Sequence, residues 1–136
     1  MSIAVELTDL AGAIARYHFA YLLTGSAQGA PHAVAVTPRL EAGVLVIDGV
    51  GRRSRDNLQA RPAAGLVWPP QDVSGYSLII DGQAALAGER LRITPERAVL
   101  HRPAPSPNPA APGACGSDCV ELPLPAGAAP SATAPG

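Results

Sequence analysis

Between residues 19 and 101 short apolar runs alternate with clusters of turn residues, and this punctuation restricts the possible folds more than any other feature of the chain. Segments 19–24, 31–37, 44–47, 65–68, 77–86, 91–94 and 98–101 are built mainly from aliphatic and aromatic residues and read as strands. Gly25-Ser26-Ala27-Gln28-Gly29 joins the first two as a hairpin, Asp48-Gly49-Val50-Gly51 ends the third, and Pro69-Pro70 ends the fourth. Gly82 predicts a bend or bulge in the longest strand, and Pro95, tolerated at a bulge or an edge, separates the last two. Helical spacing occurs twice. Leu10, Ala13, Ile14 and Tyr17 recur after a cap at Thr8 or Asp9, and a short helix over residues 52–60 stops near Arg61-Pro62, because the residue before a proline disfavours helical angles. No strand–helix–strand alternation calls for a parallel sheet. The expected fold is therefore mainly β: a small antiparallel barrel of six to seven strands with two or three short helices.

The composition breaks after Arg102. From Pro103 onward nine of 34 residues are Pro, the only charged residues are Asp118 and Glu121, and no aromatic residue follows Tyr76. Such a segment buries too little apolar surface to offset its ordering entropy. The folded unit is expected at 1–102, and 103–136 as an extended or disordered Pro/Ala-rich tail with a short strand near 118–122. Charged residues make up only 15% of the chain, which favours burial of some exterior in a partner, and the net charge of −1 gives no electrostatic case for nucleic acid. The chain has no lysine, so it cannot hold pyridoxal phosphate as a Schiff base. Together with the abundant Ala, Gly and Pro, this fits a GC-rich bacterial genome. The N-terminus lacks the basic stretch of a secretory signal, and no apolar run approaches membrane-spanning length, so the expected location is cytoplasmic. Cys115 and Cys119 cannot form a disulfide framework across the core. As a pair they suit thiols packing a tail strand, a redox pair, or half of a four-cysteine zinc site completed by a second chain.

The segment richest in chemistry is Gly51-Arg52-Arg53-Ser54-Arg55-Asp56-Asn57-Leu58, which follows a strand and opens a helix. Arg53 and Asn57 are four apart, Ser54 and Asn57 three apart, so all three can share one helical face. Arginines and a hydroxyl at a helix N-terminus suit phosphate: unpaired N–H groups and the helix dipole attract the anion, and a guanidinium grips it at two points. The same pattern also suits a solvated basic turn with Asn57 bonded locally. No P-loop, Gly-x-Ser-x-Gly, His-Glu-x-x-His or Rossmann fingerprint is present, so hydrolytic chemistry has no support.

Arg53-Ser54, then Asn57-Leu58 and Arg61-Pro62, resembles the flavin-phosphate segment of the pyridoxamine 5′-phosphate oxidase-like split barrels. The surroundings match in order: Ala20-Tyr21-Leu22-Leu23-Thr24 and the turn before Pro31-His32, then Leu66-Val67-Trp68, then Tyr76 to Ala84 with its L-x-x-x-G-x-A pattern. The likeness covers residues 12–102. It implies a Greek-key split β-barrel acting as a homodimer, with FMN or a deazaflavin at the interface and a small-molecule substrate. Arg52, Arg53, Ser54 and Asn57 are the implied phosphate ligands. His32 is placed along the flavin, or is an exposed histidine at a strand start. Trp68 stacks near the isoalloxazine, or fills a core or interface position. His18 reads as structural, and Arg102 as a residue able to reach a ligand across the dimer. Many members carry Lys or Arg where Ser54 stands, so Arg52 or Arg53 must supply the phosphate charge here. The aromatic and arginine elements that recognise pyridoxal phosphate in the true oxidases are missing, which argues against that reaction. A flavin-dependent oxidoreductase is the expected function; a flavin-binding sensor without turnover and a cofactor-less interaction barrel are the alternatives. No side chain is assigned as a catalytic acid or base.

Overall fold

The alternation that marks the first hairpin as β also decides which way its residues face. In β2 (Ala20–Gly25), Ala20, Leu22 and Thr24 are buried while Tyr21 and Leu23 are exposed. β3 (Pro31–Val36) folds back on it, pairing from Gly25↔Pro31 to Ala20↔Val36. In the computed structural model, which describes residues 1–103, this hairpin forms one end of an eight-stranded antiparallel sheet. The remaining strands are β1 (Ser2–Ala4), β4 (Arg39–Glu41), β5 (Val44–Ile47), β6 (Ala63–Trp68), β7 (Ser77–Ala87) and β8 (Arg90–His101). Their order is β3-β2-β6-β7-β8-β5-β4, with β1 added on β8. α1 (Leu10–Ile14) follows a 3-10 turn at Leu7–Asp9, and α2 (Arg52–Ala60) lies between β5 and β6 in sequence. This is the mainly β, antiparallel split barrel that the sequence led us to expect.

Leu22, Leu45, Leu66, Trp68, Leu78, Ile80, Leu91 and Ile93 fill the interior, joined by Leu10 and Ala13 of α1 and Leu58 of α2. Each large aliphatic or aromatic side chain of this kind contributes about 1.5–3 kcal/mol when fully buried.

The structure corrects several details. β8 is one strand of 12 residues, not two strands parted by Pro95. The β7–β8 ladder shifts between Asp81 and Gly82, and Gly82 pairs with Pro95. A Cβ on Gly82 would stand 2.3 Å from the Thr94 carbonyl oxygen, so only glycine fits. On its other edge β8 pairs with β5 at residues 91–93 and with β1 at residues 99–101. Pro95 falls in the gap between them, where no ladder bond is lost. β1 and β4, three residues each, raise the strand count to eight. α1 ends at Ile14 without a side-chain cap from Asp9, and Tyr17 reaches the core from beyond its end. α2 has the expected bounds, and Arg61 is extended (φ −141°) before Pro62.

Among the described residues, no helix is long and apolar enough to cross a membrane. The expected strand at 118–122, Cys115 and Cys119 lie outside the described residues, as does the Pro/Ala-rich tail beyond residue 103.

Candidate functional site

The basic segment and the first hairpin meet in a cleft of about 180 Å³ lined by Ser26, Ala30, Pro31, His32, Arg53 and Asn57. The hairpin turn is built by Ser26, whose Oγ accepts hydrogen bonds from the Gln28 N–H (3.2 Å) and the Ala30 N–H (3.0 Å). Gly29 takes the left-handed conformation (φ 92°) that this turn requires. Arg61 ties the turn to the far end of α2, donating from Nη2 to the Ala27 carbonyl at 2.9 Å. A second tie is buried: the Asn57 side-chain amide donates to Thr24 Oγ1 at 2.9 Å. Two walls from distant parts of the sequence are thereby held at a fixed separation before any ligand arrives.

α2 presents its N-terminus without compensation. Gly51 at the N-cap has no side chain to bond the first-turn N–H groups, and no acidic residue occupies that turn. The first intrahelical bond runs from the Arg55 N–H to the Gly51 carbonyl, so the earlier N–H groups remain available. The local charge is positive and the dipole end is positive, which together favour an anion.

The three arginines of this segment have separate fates. Arg53 lines the cleft and has no hydrogen-bond or ion-pair partner among the described residues. Arg52 is 86% exposed and pairs at 4.0 Å with Asp56 one turn on. Arg55 turns under the helix, donates to the Val50 carbonyl at 2.5 Å and approaches Glu89 at 3.8 Å. Arg53 is therefore the one placed to hold an anion, and Arg55 is structural.

His32 faces the cleft from β3, partly buried, and its Nδ1 has no partner. Ser54 is only 1% exposed, its Oγ is also unpartnered, and it does not line the cleft. An unsatisfied buried polar atom costs about 1–3 kcal/mol, and of these two residues only His32 lines the basic cleft. Trp68 is brought elsewhere: at 2% exposure it belongs to the core, so no ring of a cofactor stacks on it directly. Arg102 lies over the Tyr76 ring at 4.4 Å, and His18 is exposed. Thr24 and Ser26 were not foreseen as site residues. Thr24 was within reach, because the period-two pattern of β2 places it on the buried face next to Leu22. Among the described residues no group of three or more His, Cys, Asp or Glu could hold a metal ion.

The fold and site together define a split barrel with a preformed basic cleft between its first hairpin and a helix N-terminus. No family model matches the chain. It is 41% identical over 137 residues to uncharacterized proteins of Mycobacterium bovis and Mycobacterium tuberculosis, covering 89% of this chain and 96% of each relative. Among solved structures it is similar to a candidate pyridoxamine 5′-phosphate oxidase of Listeria innocua (TM-score 0.58, 14% identity, 69% of this chain and 96% of that one). It also resembles an FAD-binding protein of Mesorhizobium loti (TM-score 0.58, 12% identity, 75% and 99%). An F420 reductase shares the fold as well (TM-score 0.50, 17% identity, 63% and 90%). The chain belongs to the family of the two mycobacterial proteins and shares the split-barrel fold of these solved structures.

Proposed function

We propose that this chain is a flavin-binding redox protein that holds FMN as a homodimer and acts on a small molecule. The observation that carries this reading is Arg53, unpaired in a basic cleft beside the unpartnered His32 Nδ1, at the uncapped start of α2. A phosphate would pair with the guanidinium and with the positive end of the helix at once, beside the His32 ring. Arg53 and Asn57 form one side of the phosphate site and His32 the other, with Arg52 adding field from solvent. Ser54 acts beneath the helix, since its hydroxyl does not open into the cleft.

The cleft of about 180 Å³ suits a phosphate and the adjoining sugar-alcohol chain but not a tricyclic ring as well. The ring then lies along the outside of β3, where a second copy would enclose it. When bound, the flavin supplies the hydride or electron transfer; this chain's residues bind the phosphate and set the orientation. A deazaflavin bearing a phosphate would use the same cleft, a choice supported by the fold shared with an F420 reductase.

Titration with FMN, followed by flavin absorbance, tests the reading on wild type and Arg53→Ala. Loss of one charge-assisted contact predicts affinity weakened about 10- to 100-fold. Arg52→Ala, which removes a solvent-facing charge, should weaken it far less. Equal affinity of Arg53→Ala and wild type would refute the assignment.

A further inference from the structure

At the opposite end of β2 and β6 from the basic cleft lies a second cleft of about 270 Å³. The ladder register puts Trp68 of β6 near the start of β2 and Ala63 near its end, so the two clefts are separated by roughly the length of a six-residue strand, about 20 Å. One wall is the turn after α1, with Arg16 and Tyr17; the other is the loop between β6 and β7, with Pro70, Asp72 and Tyr76.

Both walls are firm. The Asp72 carboxylate accepts from the Ser74 N–H (2.8 Å) and hydroxyl (2.7 Å), closing the loop on itself. A Cβ on Gly75 would stand 3.1 Å from Pro70 Cβ, so the loop is tightly folded. The Tyr17 hydroxyl donates to the Tyr76 carbonyl at 2.8 Å and locks one wall to the other. Burial pushes the Tyr17 hydroxyl up, against the opposing effect of Arg16, so it stays a donor. The Arg102 guanidinium stacks on the Tyr76 ring at 4.4 Å and holds its plane.

Two of the chain's three tyrosines meet here, at the edge of the core. The Arg16 guanidinium has no hydrogen-bond or ion-pair partner among the described residues. Both hydrogen bonds to Asp72 fall on Oδ1, leaving Oδ2 open, and the Ser74 contacts hold this carboxyl below the usual aspartate range, so it is charged. A cation from one wall and a carboxylate from the other, in a cleft also lined by tyrosine, proline and Leu100, suit a ligand with matching ends.

We propose that this second cleft binds a small aromatic acid that carries an amino or hydroxyl group across the ring from its carboxylate. Arg16 takes the carboxylate, Asp72 accepts from the amino or hydroxyl group, and the ring lies against the surface that Tyr17 and Tyr76 form. The site is independent of the basic cleft and of any cofactor there.

The probes are 4-aminobenzoate and benzoate, titrated into the full-length chain by calorimetry, with tyrosine fluorescence as a second readout. Wild type should bind 4-aminobenzoate saturably, and benzoate more weakly. Arg16→Ala, which removes an exposed guanidinium without partners, should weaken 4-aminobenzoate about tenfold or more. Asp72→Asn perturbs the loop as well as the charge, so the readout is its selectivity: the preference for 4-aminobenzoate over benzoate should shrink. Ser74→Ala, which removes one loop bond and leaves the Asp72 charge, should keep that preference. Flavin titration of Arg16→Ala should match wild type. No saturable binding to wild type at millimolar probe, or undiminished binding by Arg16→Ala, overturns the proposal.

Discussion

Arg52 and Arg53 are adjacent in sequence, yet one meets solvent and the other a cleft, and that difference is set by the helical turn of about 100° per residue acting on a helix whose buried side is fixed by Ser54, Asn57 and Leu58. The sequence could offer both arginines but not choose between them, because the choice depends on where the β2–β3 turn lies in space. Ser54 shows the same limit: spacing places it on a face with Asn57, and packing puts that part of the face under the helix. Trp68 was open between ring stacking and core, and the even alternation of β6 sends it inward with Leu66. One strained residue lines neither cleft. Ala42 has φ 51° in the two-residue turn Ala42-Gly43 between β4 and β5. Such turns favour Asn or Gly in the left-handed region, where Ala is penalised by about 1 kcal/mol. Ala42→Asn should therefore raise the thermal midpoint by a few degrees, read by circular dichroism; a lowered midpoint would contradict the account of this turn.

Strands with clear alternation were legible to within a residue or two, as β2, β3 and β7 show, and β5 was legible as a continuous apolar run. β1 and β4 were not, for separate reasons. All three residues of β1 are exposed, so it has no inward and outward pattern to detect. β4 exists because a tight turn folds it onto β5, and three residues are too few for a period to register. Pro95 misled by its usual meaning. Prolines break ladders, but this one stands where β8 changes partners from β5 to β1, opposite the shifted register at Gly82. The bulge lets β7 and β8 bend together without ending either strand. Gly82→Ala tests this. The added methyl would overlap the Thr94 carbonyl oxygen, so chemical denaturation should show a loss of about 1–3 kcal/mol. Unchanged stability would mean that the bulge is not tightly packed.

Charge is unevenly spread over the sheet. β2, β3 and β6 contain no Asp, Glu or Arg, whereas β7 carries Asp81, and β8 carries Arg90, Arg92, Glu96 and Arg97. On the uncharged side Tyr21 and Leu23 are 42% and 40% exposed, next to Ala33 and Ala35 on the edge strand β3. An uncharged face ending in an unpaired strand edge is unusual for a surface that stays in water, and it supports the proposed homodimer, with β3 and its cleft at the interface. Light scattering should give a mass near twice 13.8 kDa for wild type. Leu23→Arg should shift it toward the monomer while circular dichroism stays native; a wild-type monomer would remove the dimer from the reading. The low charge content of the sequence pointed to such a covered face but could not locate it, because location follows from strand order. Titration of the purified wild-type chain with FMN, followed by visible absorbance, decides whether the basic cleft is a flavin site. Binding should saturate at about one flavin per chain, with a perturbed flavin spectrum. No saturable binding of FMN or of a phosphate-bearing deazaflavin would contradict it, and would leave the basic cleft without the ligand that its unpaired groups were taken to require.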